Sequence, residues 1–245
     1  MGGWEMRMVW NRQTVEWFRH ASDYTGYNRA LGEILRAHIP TGTTLCDVGC
    51  GAGLIDMELA AHCRHITCVD IDPCAVEAVA GEAARRGIAN LAPLCRDGAE
   101  LEGEWDTVLA LFHGGNCCMQ RYFPHARQRL MVAAYQQLRG SFGPAHRKRE
   151  KHFGAARVQE SLEEMGVAYT VEHHALEYGQ PFGGWEEAQR FVAACCQPME
   201  GWELDDYLRT HLQPTGRTDF PYYLPKTKEF SLFIIQREEN LGVCP

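Results

Sequence analysis

Three acids and a histidine, spaced among glycines, are the residues of this chain best placed to do chemistry. Asp47 lies just ahead of Gly49, Gly51 and Gly53 in LCDVGCGAG, Asp70 closes HITCVD, Asp97 precedes Gly98 in CRDG, and His113 follows TVLALF. A glycine-rich turn lets a ligand approach the backbone, and a carboxylate 17 residues beyond Gly53 is spaced to accept both hydroxyls of a ribose. The pattern points to a nucleotide-like ligand lying across strand ends. Plainer roles stand beside it: glycines that only make the turn, Asp72 as a helix N-cap, and His113 as a hydrogen-bonded core histidine.

These residues work together only if strands end where they stand. Leu45 to Val48 reads as a buried strand running into the glycine turn, with a helix over 54–63 behind it. HITCVD is a second strand. DPCAVEAVAGEAARRG then has Asp before Pro at the first helical position, apolar residues on one side and Gly87 as a stop. A third strand over Leu91–Cys95 and a fourth, TVLALF, ending at His113, complete a regular alternation, which calls for parallel strands joined by crossovers. In such sheets ligands bind at the carboxyl ends of the strands, where the order reverses, and that is where every acid named above falls. The run over 129–135 reads as a fifth strand, 149–165 as a helix, and 168–178 and EFSLFIIQ as further strands. Residues 1–40, rich in aromatics, read as a helical cap, residues 41–245 as the main domain, and 181–225 as an insertion with two helices.

Composition narrows the setting. The 245 residues carry a net charge of -8, which disfavours a broad electrostatic grip on nucleic acid. One basic stretch, HRKREKH at 146–152, reads as a solvated loop or an anion-binding edge. There is no apolar run near the roughly 18 residues that span a bilayer and no signal-like start, so no membrane partner and a cytoplasmic location are expected. The 11 cysteines are then expected to be reduced. The pairs Cys117-Cys118 and Cys195-Cys196 lack C-x-x-C spacing, and no metal is expected. Oligomeric state is left open by the sequence.

NAD and S-adenosylmethionine both fit a glycine turn with a ribose-binding acid. Leu54 stands where a dinucleotide fingerprint has its last glycine, Asp47 puts negative charge before the turn, unfavourable to a pyrophosphate but suited to an ammonium, and Asp97 can accept from an adenine amino group. The motifs LCDVGCGAG, ITCVDIDPCAV, CRDG and WDTVLALF, in that order, resemble those of the class I S-adenosylmethionine-dependent methyltransferases. The resemblance covers residues 43–135 strongly and the rest loosely; ALEYGQPFGGWEEAQRFV resembles a loosely defined bacterial group within them. It implies a Rossmann-like, doubly wound α/β fold of seven strands, mostly parallel, with EFSLFIIQ as the antiparallel last strand. It implies Gly49, Cys50, Gly51 and Gly53 against the methionine moiety with Asp47 nearby, Asp70 on the ribose, Ile71 on the adenine face, Asp97 and Gly98 at the adenine edge, and Leu111, Phe112 and His113 beside the sulfonium. The irregular stretch 116–127 departs from the full helix that the family often has there.

Methyl transfer from a sulfonium asks mainly for alignment and exclusion of water, worth roughly 7–11 kcal/mol, with about 10²- to 10⁴-fold more from a placed base. His113 is the expected base, and Tyr24, in the aromatic cap, the second catalytic candidate. Glu177 and Tyr178 are expected to line the acceptor site. No Asn or Asp followed by Pro-Pro and an aromatic residue comes after the fourth strand, which removes the amino-group signature resembling DNA and some protein methyltransferases. A small-molecule acceptor, methylated at O, N or S, follows by elimination. An NAD-dependent oxidoreductase and a noncatalytic S-adenosylmethionine-binding protein are the alternatives.

Overall fold

The computed structural model describes residues 10–113, 118–136, 142–144, 146 and 154–240. Its centre is a seven-stranded sheet in which β1 (Thr44–Val48), β2 (His65–Asp70), β3 (Leu91–Cys95), β4 (Trp105–Leu111), β5 (Ala126–Tyr135), β6 (Thr170–Glu177) and the last long strand, β10 (Thr227–Gln236), lie in the order β3-β2-β1-β4-β5-β10-β6. β1 to β5 pair in parallel, and β10 runs antiparallel between β5 and β6. This is the Rossmann-like sheet that the sequence implied. The chain winds one way from β1 to β3 and the other way from β4, so the strand order reverses between β1 and β4.

The helices form where their caps and apolar spacing direct. α1 (Arg12–Thr25) opens on a capping box between Asn11 and Thr14, and it ends at Gly26, whose φ of +70° a residue with a Cβ resists. α2 (Tyr27–Arg36) buries Tyr27, Leu31 and Leu35, one residue every four, against the sheet core. α4 (Pro73–Arg86) is capped by Asp72, whose side chain accepts from the Cys74 N–H, and it buries Ala75, Val79 and Ala83 at the same spacing. α3 (Leu54–Leu59) is shorter than the 54–63 expected, because residues 60–63 turn into β2. After β4 come a short helix, α5 (Cys118–Tyr122), and one further turn over Phe123–His125 before β5. α6 (Ala155–Glu164) packs Val158 and Leu162 against β5 and β10; the expected start of this helix, 149–153, lies outside the described residues.

The 181–225 region contains α7 (Trp185–Cys195) and α8 (Gly201–His211), the two helices expected. It also contains a small antiparallel sheet of β7 (Gln180–Phe182), β8 (Gln213–Pro214) and β9 (Tyr222–Leu224), which was not expected. Trp17 of α1 joins Phe182, Phe191, Val192, Leu208 and Leu224 in one core and donates its indole N–H to Glu187 at 3.1 Å. The first two helices thus divide their packing, α1 against the insertion and α2 against the main sheet.

Candidate active site

The turn after β1 is closed by its own hydrogen bonds. The Gly49 and Cys50 N–H groups donate to Val69 O at 2.7 and 3.0 Å, and the Gly51 N–H donates to Asp70 Oδ2 at 2.9 Å. Asp70 Oδ1 accepts from the Asp72 N–H at 2.9 Å. Asp70 therefore ties the turn to the start of α4 while its carboxylate sits at the carboxyl end of β2. Glycine is required at 49 and 51 on two counts. Both have positive φ, and a Cβ would stand 2.4 Å from the His113 ring at position 49 and 2.5 Å from the Trp10 ring at position 51.

The same crowding shows what the fold brings together. His113 packs on Gly49 across the reversal point and shares a 3.3 Å hydrogen bond, Nε2 to Oη, with the buried Tyr122. Tyr122 in turn lies 3.0 Å from where a Cβ on Gly98 would be. So Gly49, Gly98 and His113, far apart in sequence, converge, and Tyr122 is the residue between them. Phe112, just before His113, holds a φ of +59°, a strained backbone for a side-chain-bearing residue. Asp97 caps the turn over Gly98–Glu100 through Oδ1, and Ile71 presents an apolar side chain that is 37% exposed beside Asp70. Leu111 and Phe112 are half-buried at the end of β4.

Beneath the turn lies a buried acid pair. Asp47 and Asp56 are both shut off from solvent and act on each other electrostatically, and Asp47 Oδ1 and both Asp56 carboxyl oxygens lack a hydrogen-bond donor among the described residues. Two neighbouring buried carboxyls cannot both be charged, so one of them keeps a proton. Burial, with Asp70 nearby, pushes Asp47 up to about 7; burial, with Asp47 nearby, raises Asp56 well above its ordinary range. Asp56 stays protonated, and Asp47 is the member that ionises. Burial and the same acids also raise the Cys46, Cys50 and Cys68 thiols, which keeps them protonated rather than nucleophilic. Asp47 Oδ1 is thus a buried acceptor without a donor among the described residues, and an ammonium is the kind of group that would satisfy it.

Aromatic rings cover the other side. Trp10 on the glycine turn meets Phe18, Phe18 meets Tyr178, and Tyr178 meets Tyr27, with centroids 5.3, 5.9 and 4.8 Å apart. Tyr178 thus belongs to a chain of rings leading from the turn to the ends of β5 and β6. Tyr24 stands elsewhere: it stacks on Tyr223 at 4.9 Å and packs on Phe220 and the Arg217 guanidinium, all from the insertion. Glu177 accepts from the Tyr223 hydroxyl at 2.5 Å, so Glu177 and Tyr24 share one partner. Sequence reading missed Trp10 as a neighbour of the turn, as well as Asp56, Tyr122 and Lys228. Only the wealth of aromatics in the first 40 residues hinted at Trp10. Cys196 donates to the Val192 carbonyl at 2.9 Å, whereas Cys117 and most of the basic 146–152 stretch lie outside the described residues. Among the described residues no group of three His, Cys, Asp or Glu is arranged to hold a metal ion, and no helix is long and apolar enough to cross a membrane.

The Rossmann-like sheet thus places an internally bonded glycine turn and the Asp70 carboxylate at its reversal point, where sheets of this kind bind ligands. A family model described as a methyltransferase domain matches residues 45–139. The ribosomal protein L11 methyltransferase of Dechloromonas aromatica is 35% identical over 79 residues, which is 32% of this chain. The chain spans about a quarter, 26%, of that relative's length. Among solved structures, precorrin 8W decarboxylase from Methanobacterium thermoautotrophicum is 15% identical with a TM-score of 0.51, over 84% of this chain and 88% of that one. The YcgJ protein of Bacillus subtilis is 13% identical with a TM-score of 0.51, over 85% and 98% of the two chains. At these identities the structural likeness is one of fold.

Proposed function

We propose that this chain is an S-adenosylmethionine-dependent methyltransferase acting on a small-molecule acceptor. The observation that carries the acceptor class is the layer of rings and insertion that α1 and the region after β6 lay over the carboxyl end of the sheet. A covered site of this kind suits a molecule that can be enclosed. In this reading the bound cofactor supplies a methyl group on a sulfonium. Gly49 and Gly51 give it backbone contact, Asp47 faces its ammonium, Asp70 takes the ribose hydroxyls, and Ile71 with Asp97 meets the adenine. Leu111 and Phe112 flank the sulfur. His113, at the reversal point, takes a proton from an acceptor oxygen or nitrogen, and Tyr122 fixes its ring through Nε2. Tyr24, Glu177 and Tyr178 line the acceptor side.

Calorimetry with S-adenosylhomocysteine and with NAD separates this reading from an oxidoreductase: tight binding of the former and none of the latter is expected. Methyl release from labelled S-adenosylmethionine is then measured against small molecules, RNA and protein extracts. Turnover only with RNA or protein would replace the acceptor class. Binding without turnover on any acceptor would make the chain a noncatalytic binding protein.

A further inference from the structure

Trp10, just ahead of α1, reaches across to the glycine turn. The edge of its indole lies on Gly51, 2.5 Å from where a Cβ would stand, and its backbone N–H donates to Asp72 Oδ2 at 3.4 Å. Asp72 donates its own N–H to Asp70 Oδ1, and Asp70 Oδ2 accepts from the Gly51 N–H. The ring and these three hydrogen bonds close a loop around Asp70. A molecule that engages the Asp70 carboxylate therefore has the indole beside it.

Core packing does not account for this placement. Gly49 and Gly53 leave room for His113 after β4 and for Val79 of α4, residues of the sheet and its crossover. Gly51 leaves room for a ring of the cap instead. Among the described residues neither Trp10 nor its edge-on neighbour Phe18 belongs to any of the three buried apolar clusters, and Trp10 is only half-buried. Nor does α1 need the ring as an anchor, since it has its capping box at Asn11 and Thr14 and buries Trp17 and Ala21. A large ring kept out of the core and laid on a turn at the carboxyl end of the sheet is placed to meet a ligand.

We propose that Trp10 is a cofactor-contacting residue, its indole packing over the sugar and methionine chain of the bound S-adenosyl ligand against Gly51 and shutting that side of the donor site from water. This rests on the methyltransferase reading and adds a residue of the cap to the donor site. The turn itself supplies backbone and the Asp70 carboxylate, which hold a ligand from one side. The indole supplies apolar cover from the other, with a ring face that suits a ligand carrying a cation. Its strand of chain leads straight into α1, which is packed on the insertion through Trp17. Release of the ligand then requires this strap to lift, so the ring acts on dissociation more than on association.

The test uses the full chain with S-adenosylhomocysteine as probe, its affinity measured by calorimetry and its binding and release followed by tryptophan fluorescence in stopped flow. Wild-type fluorescence is expected to change on binding. Trp10→Phe is expected to bind within a few-fold of wild type with most of that change gone. Trp10→Ala is expected to bind about tenfold or more weakly, the loss lying in faster dissociation. Wild-type fluorescence unaltered by saturating ligand overturns the proposal whether or not any variant folds. So does a fluorescence change undiminished in Trp10→Phe, or a Trp10→Ala variant that holds the ligand as long as wild type does. In each of those outcomes the ligand still binds, so the methyl-donor reading stands and Trp10 alone loses its role. If calorimetry detects no binding by wild type, the methyl-donor reading falls and this proposal falls with it.

Discussion

At the glycine-turn end of the site, the acids and glycines come from one stretch, Asp47 to Gly98, in which each strand delivers its residues to the turn that follows it. At the aromatic end, Tyr27, Phe112, Tyr135, Tyr178 and Lys228 come from α2, three different strand ends and the start of β10, spread over most of the chain. The first end is charged, internally hydrogen-bonded and made of contiguous motifs. The second is assembled from distant rings around one cation. The difference teaches that the arrangement at the turn is a local property of the chain, whereas the aromatic end depends on how the cap and the last strand dock.

Breaking the turn end should have the largest effect. Asp70→Ala removes the acid proposed for the ribose and the acceptor of the Gly51 N–H together, so S-adenosylhomocysteine binding should fall below detection by calorimetry. Undiminished affinity in that variant would remove Asp70 from the ribose. Next comes His113, at the seam between the two ends. His113→Ala should lower turnover by about 10²- to 10⁴-fold while leaving cofactor affinity within a few-fold, measured as kcat beside a binding titration. A turnover equal to wild type would reduce His113 to a packing partner of Gly49.

A milder effect should follow pH. Asp47 titrates at about 7 in the fold, above its ordinary range in an unfolded chain. Between those values the folded state holds a proton that the unfolded state has released. Stability without ligand should therefore fall as pH rises from about 4 through about 7 on account of Asp47, and go on falling above that on account of Asp56, whose folded form keeps its proton longer. A ligand ammonium favours the ionised form, so binding should release a proton, and S-adenosylhomocysteine affinity should rise by about tenfold between pH 6 and pH 8. Calorimetry in buffers of different ionisation enthalpy reads the released proton directly. Asp47→Asn should flatten the profile, and a profile unchanged in that variant would place the titration elsewhere.

The smallest effect belongs to the aromatic end's rim. Tyr223→Phe removes the 2.5 Å hydrogen bond to Glu177 while keeping the ring on Tyr24. It should cost about 0.5–1.5 kcal/mol of stability in denaturant unfolding and leave cofactor affinity unchanged. If cofactor affinity fell with it, the two ends would be coupled through the cap rather than independent.

Much of the sheet was legible because its signals are local. β1 to β4, α4 with its Asp72 cap and Gly87 stop, and the strand containing EFSLFIIQ each announce themselves within about ten residues. β7, β8 and β9 did not, since strands of two or three residues carry no period to read. α3 was overestimated because apolar residues continue past Leu59 into the turn before β2. Asp56 looked like one helical acid among several; only the fold buries it beside Asp47.

The sequence by itself determined the alternation of strands and helices and the acid or glycine at each strand end. These follow from side-chain type and short-range spacing. Tertiary structure alone decided that His113 packs on Gly49, that Trp10 covers Gly51, that Asp47 and Asp56 are buried together, and that Lys228 lies among rings drawn from across the chain. Such contacts join residues up to about 200 positions apart, and no periodicity in a sequence records which distant side chains the packing of a core will press together.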